Sequence, residues 1–325
     1  MTLASIPALV AVLFCAALFI LLYQFIFPRR APWLLVGAAV LAGIICTLLL
    51  GVALRHLVGT GLASFEGLRT VSAALPFAIL RVGLPEEGVK ALAAMLALAP
   101  FWRRATPAQA FQAPLFAAVG FAIVENQGYA TVFGNYAMIM AFGRGFLATL
   151  THTLLAMIFG LFLMRFVARG WRHWHLPVIG YLVAAGVHAL YDTGMLPILS
   201  EYLGTKNVSE STMIAALPVV VGGIALVLIG GLWSLRKAIR QAAGEDAITV
   251  EPQHQAAVRR WRWSGNILML LGLLGLAAAT ASAVFAESPQ AATSTPDLGK
   301  ELIVASGFGA SIFFMILGWV LRQKR

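Results

Sequence analysis

Charge is what this chain has least of. Asp, Glu, Lys and Arg together make up 11% of its 325 residues, against 60% apolar residues and a mean hydropathy of +0.87. A soluble domain carries roughly 25% charged residues, so this composition excludes one and indicates an integral membrane protein. Cysteine is nearly absent as well. Cys15 and Cys46 both lie in apolar runs without metal-type spacing, which excludes a disulfide scaffold or a zinc ribbon and leaves them as small packed residues. No basic residue precedes the first apolar run, Ile6 to Phe27, and no small-residue cleavage site follows it. An anchor with its N-terminus outside is therefore expected in place of a removed signal peptide. No internal repeat is visible, and no polar stretch is long enough for a folded soluble module.

What is present is a series of apolar runs, each near the roughly 20 residues that a helix needs to cross a bilayer. They fall near 7–27, 33–54, 71–102, 111–133, 144–166, 176–198, 212–235, 265–285 and 302–321. The fold class expected is all-α, a polytopic transmembrane helix bundle of about nine spans. The third run holds Pro76, Arg81 and Pro85 and is too long for one straight helix, so it is read as a single broken crossing. With nine crossings, sixteen Lys and Arg fall on one side and five on the other. Splitting the third run into two crossings would spoil that asymmetry. The sixteen-residue side is expected to be cytoplasmic, which places the C-terminus inside. The net charge of +10 is thereby a topology signal, and no nucleic-acid partner is implied. A polar cytoplasmic loop is expected near 236–263 and an exterior one near 287–300. The glycine pairs 222–223 and 230–231 are read as close helix contacts.

Against this background the buried ionisable residues stand out: Glu86, Glu87, Lys90, Glu125, His152, His188 and Asp192, with Asn126 beside Glu125. A charged group at a span centre costs on the order of 2.5–3.5 kcal/mol on insertion scales, so these groups must face a polar interior. Under the topology above, Glu125, His152, His188 and Asp192 each lie about 6 to 10 residues from the exterior end of their span, or roughly 9–15 Å deep at about 1.5 Å per residue. Glu86 and Glu87 follow Pro85 midway along theirs. Groups from four spans thus agree in level.

Spacing adds to this. Glu86 and Lys90, Phe121 and Glu125, and His188 and Asp192 are each four residues apart, one helical face per pair. Each feature has a plainer reading. Glu86 and Glu87 could simply open a helix at an interface, where acids suit the dipole. Asn126 could be helix glue, and a lone histidine could be a packed core residue. Arg144 is most simply an interface residue, with a second role in pairing to a carboxylate. Phe121, Tyr129 and Tyr191 are read as packing.

In order along the chain, "EEGVK" fits an E-E-x-x-K pattern and "FAIVEN" fits F-x-x-x-E-N; His152 and "HALYD" follow on later spans. In these motifs the chain resembles the PrsW family of intramembrane proteases, distant relatives of the CAAX prenyl proteases. The resemblance covers about residues 80–195, with the first two spans and everything after about residue 200 outside it. The organisation expected is two N-terminal spans in 1–70, a PrsW-like catalytic core in 71–199 and three further spans in 200–325. The resemblance implies an intramembrane endopeptidase that cuts a membrane-anchored protein near the exterior face of a bacterial cytoplasmic membrane, with that protein and the lipid bilayer as its partners.

The catalytic set implied is Glu86, Glu87, Lys90, Glu125, Asn126, His152, His188 and Asp192. Glu86 or Glu87 would be the general base, with Lys90 setting their charge. Spacing makes Glu86 the partner of Lys90 and frees Glu87, whereas analogy with the prenyl proteases favours the first glutamate. Glu125 would help position water, His152 or His188 would donate to the oxyanion, and Asp192 would fix a histidine tautomer. The preferred reading has no cofactor, since no H-E-x-x-H segment is present. The alternative is Zn²⁺ held by His152, His188 and Glu125, with a glutamate as base. Buried carboxylates, histidines and a lysine also describe a proton-coupled transporter, which stands as the alternative function, or a non-catalytic scaffold.

Overall fold

A computed structural model describes residues 5–27, 29–58, 67–132, 137–205 and 208–246; the two crossings expected after residue 264 and the exterior loop between them lie outside these residues. Among the described residues every regular element is helical. In chain order these are α1 (Ser5–Ile26), α2 (Trp33–Val58), α3 (Val71–Phe77), a π-helical turn (Ala78–Gly83), α4 (Leu84–Leu98), a 3₁₀ segment (Ala99–Arg104), α5 (Pro107–Val132), α6 (Ala137–Arg169), a 3₁₀ turn (Trp171–His173), α7 (His175–Thr205) and α8 (Glu210–Asp246). Among the described residues six stretches are long and apolar enough to cross a membrane, one in each of α1, α2, α5, α6 and α8 and one that runs through α7 from Trp171. The chain is a multi-pass membrane protein.

The third predicted crossing departs from expectation in an instructive way. No rupture occurs at Pro85. The backbone stays right-handed through Phe77, Ala78, Gly83 and Leu84, and the irregularity is a π turn just ahead of the proline. Leu84 donates its N–H to the carbonyl of Ile79, five residues back. Pro85 has no N–H, and its ring crowds the carbonyl four residues before it, so a widened turn there relieves the clash while the helix continues.

Helix ends are set locally. Thr106 and Gln109 form a reciprocal capping box ahead of α5: Gln109 N–H donates to Thr106 Oγ1 at 3.2 Å and Thr106 N–H to Gln109 Oε1 at 3.0 Å. At the end of α6, Gly170 takes a φ of 81°, which favours glycine, and turns the chain into α7. The predicted cytoplasmic loop starting at 236 begins as helix, because α8 runs on through Ala- and Arg-rich residues to Asp246.

Two compact units are distinguished. The first comprises residues 1–30, 122–150 and 239–325. Within it Ala8, Ala11 and Val12 of α1 pack with Ala130 and Ala141, and Gly145 leaves room for Cys15.

The second unit comprises residues 31–121 and 151–238. Small residues let its helices approach to backbone contact. A Cβ on Gly83 would lie 2.5 Å from the Ala185 carbonyl oxygen, and one on Gly223 would lie 2.6 Å from Tyr191 Cα. Of the two glycine pairs expected to serve packing, Gly223, Gly230 and Gly231 do so against α7 and α6, whereas Gly222 faces open space. Ala74 and Ala78 pack with Ala189 and Leu196. That contact seats the π turn on α7 and so delivers the first turn of α4 to the middle of α7.

Candidate active site

The first turn of α4 carries Glu86 and Glu87. The plain reading of this pair as an interface helix start fails on burial, since the Glu87 and Lys90 side chains are each 2% exposed. Glu87 Oε1 accepts from Lys90 Nζ at 2.5 Å and lies 2.8 Å from His188 Nδ1 on α7. Lys90 Nζ also reaches His152 Nδ1 on α6, at 3.0 Å. The other nitrogen of His188, Nε2, is 3.2 Å from Asp192 Oδ2 and 3.8 Å from Glu86 Oε2. The two imidazoles stand edge to face with centroids 5.6 Å apart. Six predicted residues, Glu86, Glu87, Lys90, His152, His188 and Asp192, therefore meet in one group within the second unit.

Spacing alone selected the wrong partner for Lys90, which pairs with Glu87 three residues before it and not with Glu86 four before. Both offsets share a helix face. What decides is tertiary: Lys90 must also reach His152, and Glu87 must also reach His188, so both lie on the buried face of α4. Glu86 is left at the margin with 19% of its side chain exposed.

Phe121, expected only to pack, lies edge-on to His152 with centroids 4.9 Å apart and under Lys90 Nζ at 4.4 Å, so its ring is a wall of the site. Sequence reasoning missed Tyr181. Its hydroxyl donates to the Leu84 carbonyl at 3.0 Å and ties α7 to the start of α4. A lone tyrosine in a span was the one signal available.

Glu125 and Asn126 lie in the first unit. Arg144 Nη2 donates to Glu125 Oε1 at 3.0 Å, the second role considered for that arginine, and its guanidinium stacks on Tyr129 at 3.6 Å. Asn126 Nδ2 donates to Thr149 Oγ1 at 3.3 Å.

The donor chemistry bears on a metal. Glu86, His152 and His188 offer ligand atoms that all lie within 4.8 Å of one another. The carboxylate standing with both imidazoles is thus Glu86, where the sequence reading had placed Glu125. Glu87 on His188 Nδ1 leaves Nε2 turned toward Glu86 and Asp192. A carboxylate behind a histidine in this way supports metal-ligating imidazoles in general. Glu86, Glu87 and Asp192 put three carboxyl groups beside the one lysine of the group, an oxygen-rich set that suits a divalent cation. The residues fit such an ion.

Carboxylates, imidazoles and a lysine gathered on packed helices of a membrane protein suit either a membrane-embedded hydrolase or a proton-coupled transporter, and comparison selects between them. The family follows from comparison: the model of the PrsW family intramembrane metalloproteases matches residues 31–223, and the chain belongs to that family. It is an intramembrane protease, hence a peptidase, and the transporter and scaffold alternatives are set aside. The match begins at residue 31 and ends at 223, so the second span and the first part of α8, as far as Gly223, belong to the family region that the motifs alone had confined to about 80–195. No curated protein and no solved structure matches the chain.

Proposed function

We propose that the chain cuts a membrane-anchored protein within the bilayer, with Glu86 at the reacting water. The observation that carries this reading is the meeting of Glu86, His152 and His188 from three helices around the buried Glu87–Lys90 pair. Glu86 is chosen over Glu87 because Glu87 Oε1 is already shared by Lys90 and His188, whereas Glu86 lies at the exposed margin.

Glu86, His152 and His188 would hold a divalent ion such as Zn²⁺. When bound, the ion lowers the pKa of water and polarises a carbonyl. The chain's own groups do the rest. Glu87 holds His188 by Nδ1 and so aims Nε2 at the reacting region, with Asp192 beside it. Lys90 balances Glu87. As water adds to the scissile carbonyl its proton passes to a carboxylate, for which Glu86 and Asp192 are the partly exposed candidates. The same proton is then available to the leaving amine as the C–N bond breaks. Glu87 and Lys90 act as positioning residues here.

One contact favours a second, metal-free reading. An ammonium donating into His152 Nδ1 puts the ring hydrogen on Nε2, the form that donates to an oxyanion and does not ligate. In that version Glu86 is the base and the Nε2–H of His152 is the oxyanion donor. The metal content of active, purified protein and its response to a chelator decide between the two. Stoichiometric metal with chelator-sensitive cleavage supports the first, and metal-free, chelator-resistant cleavage supports the second.

For location we infer a cell membrane with the arginine-rich helix ends inside. His152 lies 17 residues from the end of α6 and His188 13 residues from the start of α7, or roughly 20–25 Å along a helix. With hydrocarbon about 30 Å thick, that puts the site in the exterior half. The C-terminal spans after residue 264 are proposed to be additions outside the catalytic unit.

A further inference from the structure

The three helices that bring Glu87, His152 and His188 together also meet at their other ends. Trp102, just past α4, lies 5.7 Å from Phe166 of α6 and 6.0 Å from Trp171 at the entry to α7, and Phe166 and Trp171 are 5.4 Å apart. This three-ring cluster is bracketed in sequence by Arg103, Arg104, Arg169 and Arg172, all exposed, and Trp171 and Trp174 are 72% and 64% exposed. Segments 99–106 and 165–175 contain no Asp or Glu at all. Four exposed arginines, with the half-buried Arg165, thus flank an aromatic platform in sequence, with no acid in the segments that carry them. Aromatic rings at such a level suit the headgroup zone of a bilayer, and guanidinium is the side chain best matched to phosphate.

We propose that this end of the second unit binds the headgroup of an anionic phospholipid, with the arginines on its phosphate and Trp171 and Trp174 beside its glycerol region. Anionic lipids supply the charge that these segments lack, and each arginine close to an anionic surface is worth roughly fivefold in partition. Because the platform joins the ends of all three site-bearing helices, an occupied headgroup site would clamp α4, α6 and α7 together about 20–25 Å from the site. The binding claim stands on the charge and ring geometry alone and does not rest on the proposed hydrolysis.

The test uses the full chain in nanodiscs of phosphatidylcholine, with or without added phosphatidylglycerol, read by thermal unfolding and by lipid retention in native mass spectrometry. The wild type should unfold at higher temperature and retain phosphatidylglycerol when it is present. The R103Q/R104Q/R169Q/R172Q variant should match the wild type in phosphatidylcholine alone yet lose at least about tenfold in phosphatidylglycerol retention. The milder R169Q/R172Q variant, used if the fourfold one does not fold, should lose a smaller but measurable share. Arg81→Gln, in the π turn, should change nothing. Equal retention by wild type and both variants would overturn the proposal. So would inorganic phosphate in phosphatidylcholine discs reproducing the full stabilisation, since the site would then recognise a free anion.

Discussion

Replacing Glu87 by Gln keeps the shape of the side chain and removes one charge from the most buried part of the site. Its Oε1 sits 2.5 Å from Lys90 Nζ and 2.8 Å from His188 Nδ1, and both partners of the ion pair are 2% exposed. The variant leaves a buried ammonium facing a neutral amide. Breaking one side of a buried pair costs about 3–5 kcal/mol, most of it the uncompensated charge that remains. Glu86→Gln acts on a side chain 19% exposed and 3.8 Å from His188 Nε2, so it should cost less than Glu87→Gln, about 1 kcal/mol. Lys90→Met added to Glu87→Gln removes the orphaned charge, so the double variant should recover at least about 1–2 kcal/mol relative to the sum of the single changes. Reversible unfolding in mixed micelles measures the wild type, the single variants Glu86→Gln, Glu87→Gln and Lys90→Met, and the double variant, with cleavage of a membrane-anchored reporter assayed in parallel. Both single glutamate variants should lose cleavage, but only Glu87→Gln should lose substantial stability. If the two glutamate variants are equally stable, or the double variant is additive, the assignment of Glu87 as the buried anchor is wrong.

Substitution of His152 or His188 by Ala should abolish bound metal where the wild type binds it, as measured by elemental analysis, while Glu87→Gln should weaken metal binding by about 10–100-fold by loosening His188. Gly223→Val forces a side chain into Tyr191, where a Cβ would lie 2.6 Å from Cα, and should destabilise by about 1–3 kcal/mol in the same unfolding assay, whereas Gly222→Val, in open space, should not. Thr106→Ala removes the capping box of α5 and should cost about 1 kcal/mol, with Thr106→Asp restoring most of it. Arg144→Gln should weaken the first unit by less than Glu87→Gln weakens the second, because the Glu125–Arg144 pair is 19% and 27% exposed and partly solvated.

Much of the helical plan could be read in advance because membrane insertion imposes a strong local rule: about twenty apolar residues in a row, with basic residues gathered at one set of ends. The runs near 7–27, 33–54, 111–133, 144–166, 176–198 and 212–235 all lie on long helices. The bounds moved outward because helices continue as long as backbone bonding and residue propensity allow, and hydropathy does not register that. The Pro85 break read differently for a related reason: proline removes a donor and crowds a carbonyl, but whether the chain answers with a kink, a rupture or a π turn depends on what packs on either side, and here Gly83 against Ala185 leaves room for the widened turn.

By itself the sequence determined that acids, a lysine and two imidazoles had to avoid lipid, because each carries a desolvation cost that hydrocarbon cannot offset, and this singled out Glu86, Glu87, Lys90, Glu125, His152, His188 and Asp192, with Asn126 beside Glu125. Only the tertiary structure decided which of them touch. One lysine can face either of two adjacent glutamates with equal local plausibility. The choice of Glu87 for Lys90 and of Glu86 for the imidazole group was made by where α6 and α7 present His152 and His188, residues more than sixty positions away that no spacing along α4 encodes.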